Sequence, residues 1–279
     1  MDPLVVATFI IVAALEILVP IVLGYLIVKK YSISWKVFGL GALGFIIVQI
    51  IHTPLVLVIQ QPLLSSLREV FPDGTIALAA FSLVLGFLAG IFEEPARYII
   101  FRWIFPRLKI PLTRDRGLLF GAGWGGVESI FVAILLLLTL VSYLYAPLLT
   151  EEQLQATNAS IDGTLTQEQI QQILAQNEAL MQITPFDILP GLAERMMTII
   201  HHLAWTVMVL AAVIFSRHLL LVLAIIWHTG IDAFAVYLAQ TSGIITAESA
   251  IFVSTLIAVV YLFWQWRRMG LSSYGQKNL

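Results

Sequence analysis

The chain is 279 residues long, 59% hydrophobic and 11% charged, with a formal net charge of -2 and no cysteine. A typical soluble domain carries about 25% charged residues, so no water-soluble fold could bury this much apolar surface. The missing cysteines exclude a disulfide framework, a thiol nucleophile and thiolate metal sites, and the charge balance offers nothing to a nucleic-acid partner.

Apolar runs of about 20 residues recur along the chain, the length that crosses a hydrocarbon core of ~30 Å. They are continuous rather than alternating, which favours helices over a barrel. The first covers residues 4–28, holds Glu16 and ends at Lys29 and Lys30. It is too long for a signal peptide and lacks a basic leader, so it is read as a retained helix. The second covers residues 35–59 and contains His52; the turn Pro72-Asp73-Gly74 follows. The third, residues 76–101, carries Glu93, Glu94 and Arg97, and leads into a basic loop with Arg102, Arg107, Lys109, Arg114 and Arg116. The fourth, residues 117–144, contains Glu128; the fifth, residues 189–215, contains Glu194, Arg195, His201 and His202. The sixth, residues 218–240, holds His228 and Asp232, and the seventh, residues 244–266, closes with Arg267 and Arg268.

The expected fold is therefore all-α: a polytopic transmembrane bundle of about seven helices, forming a single transmembrane domain over residues 1–279 with an extramembrane loop at residues 146–190. Of the 15 lysines and arginines, 12 lie in the loops after spans one, three and five or in the C-terminal tail, counting Lys36 at the start of span two. The positive-inside rule then puts the N-terminus outside and the C-terminus in the cytoplasm. The long loop has six acidic residues and no Lys or Arg. Within it, Thr166 and Gln169 read as a capping box, and Ile170, Ile173, Leu174 and Met181 recur at helical spacing. A short amphipathic helix is expected there.

A charge at the bilayer centre costs several kcal/mol by insertion scales, yet Glu93, Glu94, Arg97, Glu128, His201, His202, His228 and Asp232 all fall in or near spans. Glu93 and Glu94 precede Arg97 by four and three residues and share its helix face, and His228 precedes Asp232 by four. A carboxylate one turn from an imidazole can fix its tautomer and raise its basicity. At 1.5 Å per residue, His228 lies about 15 Å inside its span and Glu128 about 16 Å inside its own. Together these residues predict a polar cavity among spans three to six. Gly121, Gly123, Gly125 and Gly126 are read as points of close helix approach, and Trp205 and Trp227 as packing aromatics.

Peptide hydrolysis needs a base for water and donors for the oxyanion, and a glutamate facing histidines can meet both needs. The alternative use of such groups is zinc, held by three protein ligands with water in the fourth place. The candidates would be His201 or His202, His228 and one of Glu93, Glu94 or Glu128. With no His-Glu-x-x-His signature and with Arg97 beside the paired glutamates, the expectation is no metal and no cofactor.

The constellation resembles a known family. Glu93-Glu94-Pro95-Ala96-Arg97 matches the Glu-Glu-x-x-Arg motif of the CAAX-protease and bacteriocin-processing (CPBP) intramembrane proteases. More narrowly, residues 90–98, the glycine-rich segment from Gly121 through Trp124 to Glu128, Glu194-Arg195 with His201-His202, and His228-x-x-x-Asp232 resemble the YhfC family, related to CPBP and to the APH-1 subunit of gamma-secretase. These elements cover residues 85–237.

The resemblance implies a glutamate-type intramembrane endopeptidase in a bacterial cell membrane, acting on membrane-associated or hydrophobic peptides. Its catalytic residues would be Glu93, Glu94, Arg97, His202, His228 and Asp232. Glu128, Glu194, Arg195, His201 and Trp124 would support them. The superfamily's Phe-x-x-x-His motif departs here, since Phe120 is followed four residues later by Trp124. Indole is neither a base nor a metal ligand, so His202 or His201 would have to substitute. Two other classes stay open: a non-catalytic scaffold or chaperone like APH-1, and a proton-coupled transporter. Membrane lipid is an expected partner, and the sequence leaves the oligomeric state open.

Overall fold

The computed structural model describes residues 1–160 and 163–275, with side chains through residue 269. Residues 161–162 of the expected extramembrane loop and 276–279 of the basic tail lie outside the described residues. The order is α1 (Pro3–Tyr31), α2 (Lys36–Val70), α3 (Gly74–Ile99), a π turn (Ile100–Ile104), α4 (Phe105–Arg107), α5 (Arg114–Tyr145), a 3-10 turn (Ala146–Leu148), α6 (Glu151–Ser160), α7 (Gln167–Met181), α8 (Pro185–Ile214), α9 (His218–Thr241) and α10 (Ile244–Gly275). No strand occurs among the described residues. Seven helices are long and apolar enough to cross a membrane, beginning at Pro3, Lys36, Gly74, Arg114, Pro185, His218 and Ile244. The protein is an all-α integral membrane protein.

Proline shapes several spans without ending them. α2 contains Pro54 and Pro62, and α3 contains Pro95 directly after the paired glutamates. Buried helices tolerate such residues because neighbouring groups take up the freed carbonyl. After α3 the backbone widens into the π turn just ahead of Pro106, so the third span continues to Arg107. The sequence had placed its end near residue 101.

The chain divides into two compact units, each described by itself: Met1–Ile17 with Ile130–Leu192, and Leu18–Ser129 with Ala193–Leu279. In the first, Val5, Phe9, Val12, Leu140, Tyr143 and Ile188 form the core, and Tyr143 Oη accepts from the Asp2 backbone N–H at 3.0 Å. The stretch expected to hold one short helix is mostly helical, because α6 and α7 fill it and α8 starts at Pro185. The capping box at Thr166 and Gln169 is formed, and Ile170 is buried. Asn158 hydrogen-bonds the backbone N–H and carbonyl of Leu165, each at 2.8 Å, tying α6 to the start of α7.

The second unit is the larger. Its core is an aromatic seam of Phe45, Phe101, Phe105, Phe120 and Trp124, with Phe101 and Phe120 ring centroids 4.8 Å apart. Two glycine faces set its helix spacing. A Cβ at Gly86 would lie 2.4 Å from the Thr229 carbonyl oxygen, and one at Gly90 would lie 2.7 Å from Thr229 Oγ1, so α3 can approach α9 only because both are glycine. On α5, a Cβ at Gly123 would lie 2.0 Å from the Phe38 carbonyl oxygen, and one at Gly125 would lie 2.9 Å from the His202 ring. These approaches bring Glu94 to His228 and Glu128 to His202.

Candidate active site

The larger unit encloses a cavity of about 300 Å³ lined by His52, Glu93, Glu128, Glu194, Arg195, His201, His202, His228 and Asp232 among others. Behind the lining residues Glu93 and His202, the fully buried Arg97 is the hub. Nη1 donates to Glu94 Oε1, and Nη2 donates to Glu93 Oε2 at 2.9 Å and to His202 Nδ1 at 2.7 Å. The guanidinium also lies over the Trp124 ring, 4.5 Å from its centroid. Three helices, α3, α5 and α8, therefore meet at one cation.

Hydrogen-bond chemistry sets the imidazole tautomers. A guanidinium can only donate, so His202 Nδ1 accepts and its Nε2–H donates to Glu128 Oε2, 2.5 Å away. His228 Nδ1 lies 2.7 Å from Glu94 Oε1, a carboxylate oxygen, and therefore donates. Its Nε2 faces Asp232 Oδ2 at 3.4 Å, and both residues line the cavity. The His228 ring stacks on Trp205 at 4.0 Å and 12°, which holds its plane.

Glu93 is heavily engaged. Oε2 accepts from Arg97 and from Trp124 Nε1 at 2.8 Å, and Oε1 accepts from Gln49 Nε2 at 3.2 Å. Trp124 thus takes part in the site as a donor and as a platform for Arg97, although it cannot act as a base. On the other side of His202, Glu128 Oε1 pairs with Arg195 at 2.8 Å, and Arg195 also pairs with Glu194.

Most of the residues singled out in the sequence meet here. Glu93, Glu94, Arg97, His202, His228 and Asp232 form one chain of contacts, extended by Trp124, Glu128, Arg195 and Glu194. His201 stands apart: it lines the cavity, but Nδ1 donates to the Met197 carbonyl at 3.0 Å and Nε2 accepts from Ser254 Oγ at 2.9 Å. Ser254 in turn accepts from Trp227 Nε1 at 3.1 Å, so this triplet ties α8, α9 and α10 together. Sequence reasoning missed Gln49 and placed His52 in the second span without giving it a part in the site. Their spacing of one helical turn inside an apolar span was the available signal, and Gln49 Oε1 accepts from His52 Nδ1 at 3.0 Å.

Fold and site define a membrane-embedded protein with a buried carboxylate–imidazole–guanidinium centre. The chain belongs to the YhfC family: the family model described as "YhfC intramembrane metalloprotease" matches residues 15–258. It is 28% identical over 254 residues to a Bacillus subtilis (strain 168) protein described as "Uncharacterized membrane protein YhfC", covering 90% of this chain and 91% of that one. No solved structure matches.

The family's description overturns the expectation of glutamate-type chemistry, since it is that of a metalloprotease. The physical reason for the error is plain. Carboxylate and imidazole serve equally as general bases and as metal ligands, and their spacing in sequence does not separate the two uses. The donor types here suit a borderline-soft ion, but their arrangement does not fit one. Among the described residues no group of three His, Asp or Glu side chains is placed to hold a metal. The point on which Glu93, Glu94 and His202 converge is filled by the Arg97 guanidinium.

Proposed function

We propose that this protein is an intramembrane peptide hydrolase whose reaction centre is the cavity lined by Glu93, His202, His228 and Asp232. One observation carries the reading: His228, backed through Nδ1 by the buried Glu94, lines that cavity with its Nε2 beside Asp232. Peptide hydrolysis adds water to the carbonyl carbon and releases an amine. One proton must leave the water and one must reach the departing nitrogen. An imidazole nitrogen flanked by a carboxylate can move both, and Glu94 and the Trp205 stack hold it in position. The substrates are membrane-associated or hydrophobic peptides, and the cytoplasmic C-terminus and external N-terminus follow from the basic loops.

The reading extends to kinship with the CPBP proteases and with APH-1, supported by the convergence of Glu93-Glu94-x-x-Arg97 with His228-x-x-x-Asp232. A second reading rests on Glu93 itself. Its two oxygens already accept three hydrogen bonds, from Gln49, Arg97 and Trp124, as in a structural carboxylate, which suits a non-catalytic scaffold. Purified protein incubated with a library of membrane peptides separates the two. Hydrolysis should supply new peptide termini that are lost in His228→Ala, whereas a scaffold would retain a bound partner and cleave nothing.

A further inference from the structure

We propose that Trp205 and His52 hold the backbone of the substrate peptide in this cavity: the Trp205 Nε1–H donates to the carbonyl oxygen of the bond that water attacks, and His52 Nε2 accepts from a backbone N–H. The inference rests on the reading of this cavity as the centre of a peptide hydrolase, and it adds the groups that recognise the peptide.

Among the residues lining the cavity, two buried side-chain atoms have no hydrogen-bond partner among the described residues: Trp205 Nε1 and His52 Nε2. The first can only donate. The second is set as an acceptor by its neighbours. Glu93 Oε1 takes the Gln49 amide N–H, so Gln49 presents its Oε1 to His52 Nδ1 at 3.0 Å, and that nitrogen carries the ring proton. The neutral ring then keeps its lone pair on Nε2. A buried polar group left unmet costs about 1–3 kcal/mol, and here one donor and one acceptor are left at the same cavity. The cavity holds about 300 Å³, whereas an α-helix with its side chains is about 10 Å across, so a membrane peptide suits it as an unwound stretch. Unwinding frees backbone carbonyl and N–H groups with no water at membrane depth to meet them. A lining with a donor and an acceptor to spare matches that need.

Trp205 also belongs to the reacting group of side chains. It is buried, its ring stacks on His228 at 4.0 Å, and it meets the His202 ring edge-on with centroids 5.2 Å apart. When the water oxygen bonds to the carbonyl carbon, the carbonyl π pair moves onto its oxygen and the water proton passes to His228. An indole N–H on that oxygen gains strength as the charge develops.

The test uses full-length protein in detergent, labelled with nitrogen-15 at the indoles, and acetylated, amidated trileucine as the probe. Single phenylalanine replacements of the seven tryptophans assign the Trp205 N–H resonance. Saturating peptide should move that resonance downfield. Ester analogues of the peptide, each lacking one backbone N–H, should include one that binds wild type about tenfold more weakly and His52→Phe with no further loss. Thr53 Oγ1 also donates to Gln49 Oε1 at 2.9 Å, so Gln49 stays paired in that variant. Trp205→Phe, which keeps an aromatic face for His228, should lower kcat for a cleaved membrane peptide about a hundredfold with KM little changed. The resonance shift stands even if Trp205→Phe does not fold. An unmoved Trp205 resonance at saturating peptide, or wild-type kcat in Trp205→Phe, overturns the carbonyl contact. Equal losses across the esters in wild type and His52→Phe overturn the N–H contact. A shifted resonance in a protein that cleaves nothing would keep the recognition and remove the hydrolase reading, so the two fail separately.

Discussion

His202 Nδ1 accepts a hydrogen bond from Arg97 Nη2 at 2.7 Å, and this one contact orients the imidazole toward Glu128. The ring can serve Arg97 only as its Nε2–H tautomer, so Glu128 receives the proton-bearing nitrogen. Glu128→Gln keeps a carbonyl oxygen for that N–H, whereas Glu128→Ala leaves it unmet. Activity should fall by more in Glu128→Ala, about tenfold further, with peptide cleavage rate as the readout. Equal losses in the two variants would contradict the tautomer assignment.

Arg97 also bears on stability. It is fully buried against two carboxylates, and removing one partner of a buried ion pair costs about 3–5 kcal/mol. Arg97→Leu should therefore unfold at markedly lower denaturant in bicelles, while Arg116→Leu, a partly exposed pair with Asp115, should change stability by less than about 1 kcal/mol. Unfolding curves of the two variants, measured side by side, check this.

Helix approach at α3 and α9 gives a steric prediction. Gly86→Ala places a methyl 2.4 Å from the Thr229 carbonyl oxygen, so the helices must part and carry Glu94 away from His228. About 1–3 kcal/mol of stability should be lost, together with cleavage. Gly39→Ala, with nothing within 4 Å, should be neutral or slightly stabilising. Matching behaviour of the two would rule out the glycine face as the device that positions the site.

The neighbouring histidines should separate by function. Ser254→Ala leaves the buried His201 Nε2 and Trp227 Nε1 without their shared oxygen and should cost about 1–3 kcal/mol. It should leave the cleavage rate per folded molecule unchanged, because His201 does not join the Arg97 network. His202→Ala should abolish cleavage. Rates normalised to folded protein by gel filtration give the comparison.

Topology has its own check. Reporter fusions at Pro106 should read cytoplasmic and those at Pro147 external, following the basic and acidic loops that hold them. Both fusions reading on one side would contradict the orientation.

Hydropathy made the seven spans legible, because the requirement for apolar length acts locally along the chain. The boundaries were less so: the continuation of the third span to Arg107 depends on a π turn that no residue in the apolar run announces. Much of the site was also legible, since each intramembrane charge carries a cost that demands a partner. Its closing contacts were not. Gln49 is uncharged and sits 44 residues from Glu93, and nothing local links them. Trp124 was visible as a departure from Phe-x-x-x-His, but its part as donor to Glu93 and seat for Arg97 exists only once α3 and α5 are packed together. The class of chemistry was misread for a related reason: glutamates and histidines at membrane depth look alike whether they handle protons or bind an ion.

The central claim is that water adds to a peptide bond in this cavity. A peptide cleaved by purified protein in water enriched in oxygen-18 tests it most directly, with mass spectrometry of the new C-terminus. Wild type should place one heavy oxygen in the new carboxylate, and His228→Ala and Glu94→Gln, both confirmed folded, should yield none above background. Equal labelling in wild type and both variants, or an intact peptide held by wild type without cleavage, would contradict the account.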